Sequence, residues 1–168
     1  DHEITETIAV CRAHTFRGRG GNHRRSLTTI YSPVSAFHGR GFGDCADGTS
    51  AGALTLENFG LIFPAGPHST PIVGVKAEAK IHMNNIWMIY ADVGVHITAD
   101  VTRPLKSNAN SSELINVAVE YTRHAGMIFQ GGDSNAHAIL APNVSTGCLA
   151  KNTPEGVALE AIFGPCGG

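Results

Sequence analysis

From Val73 the odd positions read Val73, Val75, Ala77, Ala79, Ile81 and Met83, set against Lys76, Glu78, Lys80 and His82 on the even ones. Side chains along a strand point alternately to opposite faces, so this run is a strand with one buried and one wet face. After Asn84-Asn85 the odd positions are apolar again: Trp87, Ile89, Ala91, Val93, Val95 and Ile97, with Tyr90, Asp92, His96 and Thr98 between them. Two such runs joined by a polar double asparagine predict an antiparallel hairpin. A two-residue loop would set the apolar face of one strand beside the polar face of the other. A three-residue loop, Asn84 to Ile86, instead pairs Met83 with Trp87 and keeps the apolar faces together. Gly94, inside the second run, is the expected place for a bulge or bend.

Further strands are expected at Ile4–Ala13, Ser26–Tyr31, Ala53–Phe63, Met127–Gln130 and His137–Leu140. The segment Glu113–His124 carries both a helix cap and a period-two pattern, and its β-branched residues favour a strand. Thr153-Pro154-Glu155 reads as a cap followed by a first-turn proline and acid, so a short helix is expected over Pro154–Phe163. No internal repeat and no interdomain linker is evident in the residue order. The apolar faces exceed what one sheet covers, so the expected fold is mainly β: one domain over residues 1–168, an antiparallel β-sandwich or jelly roll.

Composition narrows the class. Hydrophobic residues make up 42% and charged residues 15% of the 168, which excludes a disordered chain. No apolar run approaches the roughly 18 residues of a membrane span. The formal charge of −2 offers no bulk attraction for nucleic acid, so neither a nucleic-acid partner nor a membrane span is expected. The chain begins at Asp1 rather than at a methionine, which points to removal of a preceding segment such as a signal peptide or propeptide.

Cys11, Cys45, Cys148 and Cys166 show no C-x2-C spacing of a zinc or redox motif. Four widely spaced cysteines fit two disulfides in an oxidising compartment. Sequence permits three connectivities. Cys11–Cys45 with Cys148–Cys166 is favoured because each closes a short loop, contributing roughly 3–4 kcal/mol in the chain-entropy model. Sequons at Asn110 and Asn143 lie in polar stretches that read as loops and add a mild argument for a secreted glycoprotein.

Few residues suggest chemistry. Arg17, Arg19, Arg24 and Arg25 surround Gly18, Gly20, Gly21 and His23, and six of the twelve Lys and Arg residues precede position 41. Guanidinium forks in such a loop suit phosphate, sulfate or carboxylate groups. The absence of interleaved aromatics argues against base stacking. None of the nine histidines forms an H-x-H or H-E-x-x-H motif, and His82 and His96 fall on different rungs of the expected hairpin, so no metal or other cofactor is expected. Gly131-Gly132-Asp133-Ser134 resembles the surroundings of a serine nucleophile, with His14 or His137 as a conceivable base. More simply, it is a tight turn.

The leading expectation is a secreted, disulfide-stapled protein that works by surface contact: a module for carbohydrate or protein surfaces, an effector, or a subunit of an extracellular assembly. Self-association through the N-terminal strand is one form of this, since a terminal strand adds readily to a neighbour's sheet edge. The alternative is a small extracellular enzyme whose site, drawn from His14, His38, Asp44 and Ser134, forms only in three dimensions.

Overall fold

A computed structural model describes residues 2–20, 28–41, 43–48, 52–98, 112–130 and 149–150. Its strands are β1 (His2–Glu3), β2 (Ile8–Val10), β3 (His14–Arg17), β4 (Thr29–Tyr31), β5 (Phe37–Gly39) and β6 (Ala53–Ile62), followed by β7 (Val73–Ala77), β8 (Lys80–Ile89), β9 (Val93–Thr98), β10 (Glu113–Glu120), β11 (Ala125–Gln130) and β12 (Leu149–Ala150). All described pairings are parallel. The first sheet runs β1-β4-β6-β8-β10, with β3 also on β6, and the second runs β12-β11-β9-β7-β5-β2. Along the chain the strands pass from one sheet to the other and back, β6 to β7, β8 to β9, β10 to β11, so each turn lies on the one before. The architecture is a β-solenoid of about three turns. The expected antiparallel sandwich or jelly roll is therefore corrected.

The hairpin fails at its loop. β8 continues through Asn84 and Asn85, and Met83 lies beside Leu56 and Leu114 rather than Trp87. Asn58, Asn85 and Asn116 have φ of 61°, 57° and 53°, the left-handed region that asparagine enters more readily than most residues. One such residue bends a strand and shifts its side-chain alternation by one. Leu54 and Leu56 are buried before Asn58, and Phe59 and Leu61 after it. Ile81 and Met83 are buried before Asn85, and Ile86 and Met88 after it. Trp87 and Ile89, expected in the core, are thus only half-buried. A second shift comes at Tyr90, with φ of 70°, which returns the buried set to Ala91, Val95 and Ile97. Tyr121, with φ of 51°, stands at the same corner one turn later.

The asparagines also hold the turns together. Asn85 Nδ2 donates to Asn58 Oδ1 at 3.0 Å, and Asn116 Nδ2 donates to Asn85 Oδ1 at 2.9 Å. On the amino-terminal side of Asn58 the ladder is interrupted. β3 follows β6 up to the pair Arg17 and Glu57, and β4 rejoins it at Thr29 and Gly60. Gly18 N–H donates to the Glu57 carbonyl at 2.8 Å, and a Cβ on Gly18 would lie 2.2 Å from the Asn58 carbonyl oxygen. Only glycine lets the chain leave the rung there.

Between the sheets lies a continuous apolar core that includes Phe37, Leu56, Phe59, Leu61, Val75, Ile81, Met83, Met88, Val95, Leu114 and Met127. Gly94 stands within β9, where a Cβ would meet Val119 Cγ1 at 2.3 Å and the Gly126 carbonyl oxygen at 2.5 Å, so its role is close approach between packed turns. The expected strands at Ala53–Phe63 and Glu113–His124 are present in shortened form as β6 and β10. Ile4–Ala13 resolves into a short β2, with β1 before it, and these pair with β5 and β4 of the same chain. β3 and β5 escaped the pattern because each offers only three or four residues. The expected strand at His137–Leu140, the turn at Gly131–Ser134 and the helix at Pro154–Phe163 lie outside the described residues. Among the described residues Cys11 and Cys45 form a disulfide, joining the chain beyond β2 to the loop beyond β5. Closing its 34-residue separation contributes about 4 kcal/mol in the chain-entropy model.

The central asparagine gives a direct test. Asn85→Ala loses both ladder bonds and places an alanine at positive φ, so unfolding free energy should fall by about 2–4 kcal/mol. Asn85→Gly keeps the backbone conformation and should cost about half as much. Urea denaturation of the two variants against wild type measures the difference.

Candidate functional site

Among the described residues, those singled out from sequence do not gather at one place. His14 is exposed on β3 in the first sheet, its ring 4.7 Å from that of Phe16. His38 lies on β5 in the second sheet, beside Glu78 and Lys76. Asp44 precedes Cys45 in the disulfide loop, its N–H donating to the Gly41 carbonyl and its own carbonyl accepting from Arg40. Arg17 is engaged with Glu57 through a 2.5 Å contact between Nε and Oε2, an exposed pair of small energetic weight. Arg19 is exposed and its backbone N–H donates to Thr28 Oγ1 at 2.9 Å. Arg24, Arg25, Ser134, Cys148, Cys166 and the sequons Asn110 and Asn143 lie outside the described residues. His82 and His96 occupy different sheets, His82 Nδ1 standing 3.4 Å from Glu113 Oε2.

Three arrangements emerge that residue order did not show. The first is a charged cluster on the outward face of the second sheet. Parallel register aligns His38, Lys76 and His96 across β5, β7 and β9. Their neighbours Phe37, Val75, Ala77, Val95 and Ile97 are buried, so this column faces away from the core. Glu78 stands two residues beyond Lys76, just past the end of β7. Its Oε1 is 2.6 Å from Lys76 Nζ, and its Oε2 is 3.3 Å from His38 Nε2 and 3.5 Å from the Gly41 nitrogen. Burial raises the Glu78 pKa, but the Lys76 hydrogen bond and charge outweigh it and hold the carboxyl below its ordinary value. Desolvation dominates for His38 and lowers its pKa despite the pull of Glu78, so the ring is neutral at pH 7.

The second arrangement locks three corners of the solenoid. Asp92, expected on a wet face, is 3% exposed. Its Oδ2 accepts from the Ile72 N–H at 2.6 Å and lies 2.7 Å from His68 Nδ1. Its Oδ1 lies 3.5 Å from Arg123 Nε, and Arg123 also donates to the Gly66 carbonyl at 2.9 Å. Burial raises the Asp92 pKa, yet the Ile72 hydrogen bond and the His68 and Arg123 contacts bring it below its ordinary value. This resembles a catalytic acid–histidine pair only in part. The far nitrogen of His68, Nε2, is 2.9 Å from the Pro64 carbonyl oxygen, so it is occupied by the backbone rather than aimed at a substrate.

The third is an aromatic corner. The rings of Tyr90 and Tyr121 lie with centroids 5.7 Å apart, tilted 37° to each other, and Tyr121 is 57% exposed. One column away, register aligns Tyr31, itself 41% exposed, with Ile62 and Ile89, both half-buried. These residues lie along one corner on successive rungs, a ledge spanning about 14 Å from the rung of Tyr31 to that of Tyr121 at the usual strand spacing, with the buried Glu120 beside Ile89 in the same column. Residue order carries no signal for the charged column or the Asp92 cluster, whose members lie far apart in sequence. The parity of buried positions shifts at Asn85 and again at Tyr90, and that double shift within one strand-length run marks a solenoid corner rather than a hairpin. No family model, curated protein or solved structure matches the chain.

Acid should weaken the fold in two stages. Asp92, Glu78 and His38 all have folded pKa values below their ordinary ones. The native state therefore holds fewer protons than the unfolded chain, and stability rises with pH. Their contribution is full above about pH 7. It declines first as pH falls below the ordinary histidine value of about 6.5, then again below about 4.5 as the carboxylates protonate. Urea midpoints from pH 8 to pH 3 measure this. Asp92→Asn should lower stability at neutral pH and flatten the acid limb.

Proposed function

We propose that this protein is an extracellular carbohydrate-binding module that receives a saccharide chain on the aromatic ledge of Tyr31, Ile62, Ile89, Tyr90 and Tyr121. The observation that carries the reading is the adjacent pair of tyrosine rings, Tyr90 and Tyr121, both at positive φ. A bulky residue in the left-handed region costs about 1–2 kcal/mol where glycine or asparagine would cost little. That cost is sustained at two successive rungs, and at Tyr121 the ring it places is largely solvent-exposed. Core packing explains Tyr90, which lies against the apolar cluster, but not Tyr121. A tyrosine ring presents a rigid apolar face with a polar tip, suited to the apolar face and hydroxyl rim of a pyranose. Stacked rungs repeat such contacts along one line, which suits an extended ligand better than a compact one.

The extracellular assignment is supported by the Cys11–Cys45 disulfide, a bond favoured in oxidising compartments. Binding by surface contact also fits the placement of His14 and His38 in different sheets.

Tyr121 separates this function from a structural role. Tyr121→Asn should leave the fold intact and raise its melting temperature slightly by relieving backbone strain, while lowering affinity for the best ligand of a polysaccharide panel at least tenfold. Tyr121→Phe should bind within a few-fold of wild type. Affinity electrophoresis against the panel, with calorimetric melting of each variant, reads both quantities. Equal binding by wild type and Tyr121→Asn, or no retardation of wild type by any polysaccharide, contradicts the assignment.

A further inference from the structure

We propose that the outward face of the second sheet is a separate binding face for the carboxylate, sulfate or phosphate groups of an extended polyanion, armed when His38 and His96 take up protons. The column His38, Lys76 and His96 offers one cationic or protonatable group on each of three adjacent rungs, about 4.8 Å apart. Arg40 follows His38 along the same segment. Among the described residues, the groups that register and sequence place beside the histidines can be named strand by strand. β2 contributes Ala9, β5 is followed directly by Arg40, β7 carries Lys76 and leads into Glu78, β9 carries Thr98 beside His96, and β11 contributes Ile128. Asp44 stands in the adjoining loop.

Glu78 is the acid within this set, and its charge is internally satisfied. One oxygen is held by Lys76, and the other faces the Gly41 N–H and His38. At neutral pH the face carries Lys76 and Arg40 against Glu78, with Asp44 in the adjoining loop, and so holds no excess of positive charge. Histidine protonation would move that balance towards positive charge, against the burial that disfavours the charged form of His38. His38 Nε2 is buried without a hydrogen-bond partner: it lies 3.3 Å from Glu78 Oε2 but off the line of a bond. Protonation gives it a second ion pair with Glu78, which then shares its charge between two cations and leaves Lys76 freer to engage a ligand. Histidine is the side chain whose charge changes between pH 5 and pH 8, so the face discriminates an acidified surrounding from a neutral one. Regular spacing along the solenoid selects a polymer over a single ion, because each rung adds a further charge-assisted contact.

The test uses dextran sulfate, uncharged dextran and sodium sulfate as probes, with binding to the full chain measured calorimetrically at pH 5.5 and pH 7.5. Dextran sulfate should bind at least tenfold more tightly at pH 5.5, weaken as salt is added, and outcompete sodium sulfate at equal sulfate concentration. Uncharged dextran should show no such pH dependence. The double variant His38→Gln with His96→Gln should bind equally at both pH values. In the wild-type chain, amide resonances of residues 38, 40, 76 and 96 should shift on titration, a readout that does not depend on any variant folding. Equal wild-type affinity at both pH values, pH dependence that survives the double substitution, perturbations confined to other residues, or sodium sulfate binding as tightly per sulfate as the polymer would each overturn the proposal. The readout here is the change in affinity between pH 5.5 and pH 7.5, not affinity for neutral polysaccharides, so failure on this face leaves the aromatic ledge untouched.

Discussion

Three asparagine amides, each bonded to the next, decide where successive turns of this chain bend. A parallel strand pair cannot be closed by a tight turn, so the chain must travel round and return one layer higher. What makes that circuit short is a residue that bends a strand without breaking its ladder. Asn58, Asn85 and Asn116 do this at matching points, and their side chains satisfy one another across the turns. Without the bend the strands before and after each asparagine would bury alternate positions of a single face. With it, both halves direct their apolar residues to the same interior.

Everything that the surface presents follows from this stacking. Because residues on adjacent turns stand in register, side chains sort into columns, and each column acquires a character that no single strand has. His38, Lys76 and His96 come from segments separated by long stretches of sequence, yet become neighbours on one face. The aromatic corner arises likewise, from Tyr90 and Tyr121 at equivalent points of two turns. The corners themselves are held by Asp92, whose carboxylate ties β9's entry to the Ile72 backbone, to His68 and to Arg123. Its burial fixes the geometry between the two sheets, and hence the relation of their outer faces.

Much of the local structure was legible in the residue order. The strand character of Ala53–Phe63, the pattern from Val73 to Thr98, the strand preference of Glu113–His124 and the Cys11–Cys45 bond could all be argued from periodicity, β-branching and loop length. Direction and layering could not. Asn84-Asn85 carries the chemistry of a hairpin turn, and local propensity alone does not separate a turn that reverses the chain from a left-handed residue that merely bends it. The repeat was hidden as well. The ladder asparagines are 27 and then 31 residues apart, so no constant period marks the turns in the residue order. Asp92 was assigned to water because charged residues seldom lie fully buried, and the partners that reverse that expectation come from Ile72, His68 and Arg123, distant in sequence.

Backbone proximity around Met83 tests the account most directly, since the solenoid and the hairpin place this residue beside different neighbours. Nuclear Overhauser spectra of the labelled chain should show inter-strand backbone contacts linking Met83 with Leu56 on one side and with Leu114 on the other, in the pattern of parallel strands. Strong Hα–Hα contact between Met83 and Trp87, with no contact from Met83 to Leu56, would contradict it.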